Sequence, residues 1–249
     1  MLAAELVKIR SVRSTYWTLL TTPVVCAALG FLIGLSAQAS LSSGRNVSGS
    51  FDPGFITFYG ITLGQIPLVV FAVLLVGAEY SSGTINPSLT AMPRRSTFYA
   101  GKVLAAALVV APVSLLSTAA IFTAAQLGLG PHSVTLTTEG MTRAAVGAFL
   151  YLTLIPLLAT GVAATLRSSV LSLGVLLPLL FLGSQGLGNI PGVKIVTQYL
   201  PDQAGMLILF TAPLTGNFAR PYGPWTGVAI LAAWTTAALL AGHVVTSRR

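Results

Sequence analysis

The chain has 249 residues, of which 54% are hydrophobic and 7% charged, and 13 Lys and Arg against 5 Asp and Glu give a net charge of +8. Because a soluble domain carries roughly 25% charged residues, the composition excludes a soluble globular domain. The basic residues stand at the ends of apolar runs, which is typical of membrane proteins and not of a patch that binds nucleic acid. We therefore expect one membrane domain over residues 1–249.

The first predicted element is an amphipathic helix over about residues 1–16. Its apolar residues recur at helical spacing and are Leu2, Leu6, Ile9, Val12 and Tyr16. The basic residues fall largely on other faces, so the helix would lie in the membrane interface with its cations near acidic headgroups. The alternative is a short basic tail that only fixes the topology.

Six apolar segments are long enough to cross a bilayer, which requires about 20 residues in a helix. They are roughly Trp17–Ala37, Phe55–Ala78, Val103–Leu127, Thr142–Leu166, Val170–Ile190 and Pro224–Val245. Their cores contain no Lys, Arg or Asp, so none incurs the insertion penalty of about 2.5–3.5 kcal/mol per charge. The predicted fold class is an all-α membrane protein with six transmembrane helices.

The distribution of basic residues predicts the orientation. With the N-terminus in the cytoplasm, the inner segments carry Lys8, Arg10, Arg13, Arg94, Arg95, Lys102, Arg167, Arg248 and Arg249. The outer segments carry Arg45, Arg143, Lys194 and Arg220. The excess on the inner side predicts that both termini are cytoplasmic.

Proline and glycine residues within the spans suggest how the helices bend and pack. The second to fifth spans each contain a proline, namely Pro67, Pro112, Pro156 and Pro178. These prolines are either hinges for a conformational change or the kinks that membrane helices commonly carry. Two glycine pairs at a spacing of four, Gly30 with Gly34 and Gly60 with Gly64, allow close helix approach, and we expect one of them to contact a second membrane subunit.

The connection between the second and third spans, about residues 79–102, is the longest cytoplasmic one in this topology. Ile85, Leu89 and Met92 form one apolar face of a short helix, which Pro93 ends. The charged residues expected at the membrane surface are Glu79, Arg94, Arg95 and Lys102. Such an apolar face is typical of a docking site for a partner protein, and the alternative is a surface loop that dips into the interface.

The connection before the last span, about residues 190–223, is too apolar for a free loop, and we expect short helices on or in the outer leaflet.

The polar side chains available to a central cavity are Gln65, Gln126, Ser184 and Gln185. We find no Asp, Glu or His placed within the membrane, which argues against coupling to protons. Coupling to Na⁺ through backbone carbonyls stays open.

Motifs for catalysis are missing from the sequence. It contains no G-x-x-x-x-G-K-[ST] phosphate-binding loop and no H-E-x-x-H, and its two histidines have no metal-ligand spacing. We therefore expect no enzyme activity, cofactor or metal in this chain itself.

Three segments together resemble a known family. Glu79-Tyr80-Ser81-Ser82-Gly83-Thr84-Ile85, followed by Leu89, Pro93-Arg94-Arg95 and Lys102, resembles the E-Y-x-x-G-T-I…L…P-x-R…K segment of the type-2 permease family of ABC transporters, in its small six-span bacterial form. Arg167-Ser168-Ser169 is similar to the L-R-S-S turn of that family. Tyr199-Leu200-Pro201 with Ala204-Gly205 is similar to its Y-L-P…A-G pattern.

The resemblance implies a permease subunit of an ATP-driven exporter in the cytoplasmic membrane. The connection at about residues 79–102 would be a coupling helix that docks on a dimer of cytosolic ABC ATPase subunits, which bind the ATP and Mg²⁺, and a second permease subunit would complete the transporter. The docking residues implied are Glu79, Gly83, Thr84, Ile85, Leu89, Met92, Arg94 and Arg95. Family members often carry a basic residue after G-T-I, whereas this chain has Asn86-Pro87, a helix start that places the coupling helix later.

Two other functions are compatible with parts of the sequence. A non-transporting membrane anchor or sensor could use the same connection to tether a cytosolic partner. A membrane enzyme is disfavoured because we find no catalytic groups.

Overall fold

The computed structural model describes residue 7 and residues 13–43, 52–81, 95–184, 192–216 and 219–247. Within these ranges the chain forms nine α-helices and no strand, which confirms the all-α fold class. The helices are α1 (Arg13–Ser42), α2 (Pro53–Phe58), α3 (Ile61–Ser81), α4 (Arg95–Leu129), α5 (Met141–Leu166), α6 (Ser169–Ser184), α7 (Lys194–Thr197), α8 (Pro201–Met206) and α9 (Pro224–Ser247). Short 3₁₀ turns follow α4 at Gly130–His132 and α8 at Leu207–Leu209.

Five helical segments of the described chain are long and apolar enough to cross a membrane. They are Thr15–Ser42, Pro53–Tyr80, Ser96–His132, Met141–Leu166 and Pro224–Ser247. Large apolar side chains cover their outer surface, and Leu127 is 75% exposed. A surface of this kind requires a lipid environment, so the chain is a multi-pass membrane protein.

The fifth of the six predicted spans, Val170–Ile190, corresponds to α6, which has 16 residues in the described chain. At 1.5 Å per residue this helix is about 24 Å long, shorter than the hydrocarbon core of about 30 Å. Helix α8 packs against α6 and fills part of the bundle near it. The described chain therefore has five helices long enough to span a membrane, and a span at Val170–Ile190 stays a prediction.

The helices alternate in direction, so the bundle has two ends. We call them the Glu79 end, where α3 finishes and α4 begins, and the Asp52 end, where α2 begins. Helices α1 and α4 run parallel, because Gly30 faces Ile121 and Gly34 faces Ala125. Which end faces the cytoplasm stays a prediction.

Glycines allow α1 and α4 to touch along their backbones. A Cβ atom added at Gly34 would lie 2.6 Å from the carbonyl oxygen of Ala125, and one at Gly128 would collide with the carbonyl oxygen of Phe31. Gly64 of α3 faces the side chain of Cys26 of α1. The chain itself therefore occupies both predicted glycine faces, and the expected contact with a second subunit there is wrong.

We expect Gly34→Val to destabilise the bundle by about 1–3 kcal/mol, since the new side chain must push α1 away from α4. Gly174→Val in α6 is the matched control, because a Cβ atom there meets no atom within 4 Å. Thermal unfolding of both variants in detergent measures the difference. Equal melting temperatures would contradict the close contact between α1 and α4.

Helices α5 and α9 form a second parallel pair. A Cβ atom at Gly161 of α5 would lie 2.6 Å from the carbonyl oxygen of Ala238 of α9. The hydroxyl of Thr235 donates to the carbonyl of Leu154 at 3.3 Å, which joins the same two helices nearer the Asp52 end. Helix α3 lies between this pair and the α1–α4 pair and contacts both.

The chain between α6 and α9 enters the bundle and returns. Gly205 lies against Tyr151 of α5, Ile208 against Gly147, and Thr211 against Gly140. Tyr151 is ten residues into α5, which corresponds to about 15 Å from its first residue. We call residues 201–211 the inserted segment, because they run from the middle of α5 back to the Asp52 end.

Several predicted elements have different limits in the structure. Helix α3 extends to Ser81 and α4 begins at Arg95, so both edges of the predicted 79–102 connection are helical. Residues 82–94 lie outside the described residues. The predicted interfacial helix over 1–16 also lies outside them, apart from Val7 and residues 13–16, of which the latter belong to α1.

The four prolines predicted within spans lie inside four different helices. Pro67 is in α3, Pro112 in α4, Pro156 in α5 and Pro178 in α6. Their role as hinges stays a prediction.

Candidate functional site

Most residues predicted for partner docking fall in the part of the chain that is not described. These are Gly83, Thr84, Ile85, Leu89, Met92 and Arg94. Arg95 starts α4, and its side chain is likewise outside the description. Glu79 is the docking candidate whose environment is defined, and it lies two residues before the end of α3.

Glu79 forms a buried ion pair with Lys102 of α4. The two side chains are 3% and 2% exposed, whereas the sequence predicted that both lie at the membrane surface. The Lys102 ammonium also donates to the carbonyl of Leu75 at 3.5 Å and lies 5.1 Å from the centre of the Phe98 ring. The two opposite charges thus neutralise each other between α3 and α4, and their level relative to the membrane stays a prediction.

The ion pair connects the two helices that flank residues 82–94. A buried charge pair of this kind is held together strongly, since separating it leaves an uncompensated charge in an apolar environment. The pair therefore holds the end of α3 against α4.

A second polar contact at the Glu79 end joins α5 to its neighbours. Arg167 adopts the left-handed conformation, with φ of 55°, and ends α5. Its guanidinium donates to the carbonyl of Val245 in α9 at 2.5 Å and lies 5.9 Å from the ring of Tyr80 in α3. The turn that resembles a family motif thus connects α3, α5 and α9 next to the buried ion pair.

The two predicted cavity residues whose side chains the structure describes have different partners. Gln126 donates to the hydroxyl of Thr57 at 3.2 Å and accepts from the backbone N–H of Val134 at 2.7 Å. Gln65 lies deeper and contacts Tyr151. Gln185 and the side chain of Ser184 lie outside the description, so a polar pathway through these four residues stays a prediction.

Asp202 of the inserted segment is the residue of this region that the sequence prediction missed. It is fully buried, and its Oδ1 lies 2.5 Å from the hydroxyl of Tyr151, which is itself 2.9 Å from Oε1 of Gln65. Burial raises the pKa of Asp202 from 3.8 to about 6. Hydropathy could not indicate this position, because a carboxylate in a connection is normally expected to face water.

Asp52 and Arg143 hold the end of the inserted segment. The Asp52 carboxylate accepts from the backbone N–H groups of Thr211 and Ala212 at 2.8 and 2.7 Å, and from that of Phe55 at the start of α2 at 2.9 Å. The Arg143 guanidinium donates to the carbonyl of Phe210 at 2.7 Å. The Asp52 carboxylate therefore binds backbone N–H groups, and the Arg143 guanidinium a backbone carbonyl, of the same stretch, residues 210–212.

A cavity of about 260 Å³ opens beside this contact at the Asp52 end. Arg143, Arg220 and Tyr222 contribute its polar groups. Burial lowers the pKa of Arg220 and raises that of Tyr222. The described residues contain no group of three or more His, Cys, Asp or Glu side chains that could hold a metal ion.

Comparison with known proteins adds no assignment. No protein-family model matches the chain, and none of the curated proteins matches it.

Proposed function

We propose that the chain is the permease subunit of an ATP-driven ABC exporter, coupled to a separate ATPase through residues 82–94. The observation that carries this proposal is the buried Glu79–Lys102 ion pair, which connects α3 to α4 at the two ends of that connection. A docking element must transfer force to the membrane helices. An ion pair that resists separation would transmit that force from α3 to α4.

The proposed transfer of force runs through side chains at the Glu79 end. A push on residues 82–94 reaches α3 at Ser81 and α4 at Arg95, and the ion pair makes the two helices move as one. The contact of Arg167 with Tyr80 and Val245 extends the movement to α5 and α9. Closure of an ATPase dimer on this end would thus reach four spanning helices through two polar contacts.

The remaining parts of the proposal follow from the resemblance. The chain would work in the cytoplasmic membrane with both termini in the cytoplasm, as one of two permease subunits with two ATPase subunits. It would have six spans, of which α6 and the residues after it form the fifth. ATP and Mg²⁺ would bind to the ATPase partner.

The docking helix can be tested with two neighbouring substitutions. We expect Leu89→Arg to reduce the ATPase activity that co-purifies with the chain from its native membranes by at least about tenfold, since an unpaired charge in an apolar contact costs more than 1.4 kcal/mol. Thr90→Arg adds the same charge off the predicted apolar face and should retain that activity. The measurement is ATP hydrolysis per purified chain.

The possible results separate the two functions considered. Full ATPase activity in the Leu89→Arg preparation would contradict docking through this face. If the wild-type chain instead retains a cytosolic protein without ATPase activity, and Leu89→Arg loses it, the chain is an anchor or sensor and not a transporter subunit.

A further inference from the structure

The buried contact of Asp202, Tyr151 and Gln65 lies away from the docking region and is not needed for it. The three side chains come from α8, α5 and α3 and are 0%, 0% and 1% exposed. A buried carboxylate is stable only when it is paired with a cation, hydrogen-bonded by several donors, or neutralised by a proton. The surroundings of Asp202 therefore decide which of these states it adopts.

The number of protons available identifies the state. The hydroxyl of Tyr151 has one proton, yet it lies within hydrogen-bond distance of two acceptors, Oδ1 of Asp202 at 2.5 Å and Oε1 of Gln65 at 2.9 Å. Exchanging the oxygen and nitrogen of the Gln65 amide does not supply the missing donor. The Nε2 of Gln65 donates to the carbonyl of Thr62 at 3.0 Å, and a reversed amide would place two acceptors against each other there.

A proton on Asp202 satisfies every group in turn. The acid O–H donates to the oxygen of Tyr151, the Tyr151 O–H donates to Gln65, and Gln65 donates to Thr62. The second oxygen of Asp202 accepts weakly from Gln203 at 3.4 Å, and Gln203 accepts from Arg220 at 3.2 Å. All these hydrogen bonds then point in the same direction along one chain, an arrangement that strengthens each of them.

We propose that Asp202 is a proton-binding site, which becomes a neutral carboxylic acid as the pH falls while the inserted segment is packed against α5, α6 and α9. The ligand is a proton taken up from water, which converts the carboxylate to the acid and requires no other reactant. When the inserted segment separates from Tyr151 and Gln65, water reaches Asp202 and the proton is released. The binding of a proton and the position of the segment are therefore linked.

The titratable groups on the elements packed around Asp202 leave the carboxyl without a close charge. On α5, Tyr151 faces it, whereas Arg143 contacts the carbonyl of Phe210. Helix α3 has Glu79 and Tyr80 at the opposite end, α9 has His243 near its last turn, and α6 has no titratable side chain. Arg220 reaches Gln203 and not Asp202. The raised pKa, which has burial as its largest cause, agrees with this geometry.

Infrared spectroscopy of the full chain in lipid vesicles tests the proposal directly. The difference between wild type and Asp202→Asn should contain the C=O stretching band of a protonated carboxylic acid below pH 6, and the band should disappear as the pH rises through about 6. Asp52→Asn is the control, because it removes a carboxylate elsewhere in the chain that accepts from backbone N–H groups. The band of Asp202 should cancel in its difference spectrum, since both chains contain Asp202.

The melting temperature provides a second, independent readout. The proton-bound acid stabilises the fold fully below pH 3.8, and this contribution is lost as the pH rises through about 6. The melting temperature of the wild type should therefore fall across this range relative to that of Asp202→Asn, whose amide can replace the acid O–H as a donor to Tyr151.

In the infrared experiment, Tyr151→Phe should keep the acid band but shift it, because the acid loses its acceptor. The absence of an acid band in the wild type below pH 6 would overturn the proposal.

Discussion

Substitution of Glu79 by Ala should lower the free energy of unfolding by about 3–5 kcal/mol, the cost of leaving one partner of a buried ion pair uncompensated. The Lys102 ammonium, which is 2% exposed in the wild type, would lose the carboxylate that compensates its charge between α3 and α4. Denaturant unfolding of the purified chain in detergent measures the change. Lys102→Ala should cost a similar amount, because it leaves the carboxylate buried instead.

The double substitution Glu79→Gln with Lys102→Met is the control for this prediction. It removes both charges and retains the approximate size of both side chains, and we expect it to recover most of the stability lost in either single variant. If the two single effects simply add in the Glu79→Ala, Lys102→Ala double variant, the pair is not coupled. That result would also remove the observation on which the proposed function depends.

The substitution Asp52→Ala should lower the free energy of unfolding by about 3 kcal/mol. The carboxylate satisfies three backbone N–H groups, of Phe55, Thr211 and Ala212, and each buried donor that loses its partner costs about 1–3 kcal/mol. Hydrogen exchange should show faster exchange at Thr211 and Ala212, since they lose their acceptor. Glu139→Ala removes an exposed carboxylate near the same end and should change neither quantity. Unchanged exchange at both amides in Asp52→Ala would contradict the role given to this side chain.

The spanning helices were the part of the fold that the sequence predicted well. The span predicted at Thr142–Leu166 is helix Met141–Leu166, and the one predicted at Pro224–Val245 is helix Pro224–Ser247. Long uninterrupted apolar runs determine such helices because the backbone has no other way to satisfy its polar groups in lipid. Segment α6 shows the limit of this reasoning, since hydropathy does not reveal how much of an apolar run crosses the membrane.

The polar contacts could not be predicted from the sequence because their partners are far apart in the chain. The sequence predicts Glu79 and Lys102 separately, each as a polar residue at the end of a span. Only the packing of α3 on α4 brings them together. Asp202 has no charged neighbour in sequence, and its partners Tyr151 and Gln65 lie in two other helices. The apolar character of the connection around it did indicate that this segment packs against something, but not that a carboxyl would be carried into the bundle.

The two glycine contacts determine which parts of the chain can shift relative to each other. Sliding between helices normally proceeds by small rearrangements of the side chains between them. At Gly34 and at Gly161 the backbones themselves touch, so neither pair of helices has side chains there that could rearrange. A change of shape would therefore have to occur at contacts between the helices other than these two.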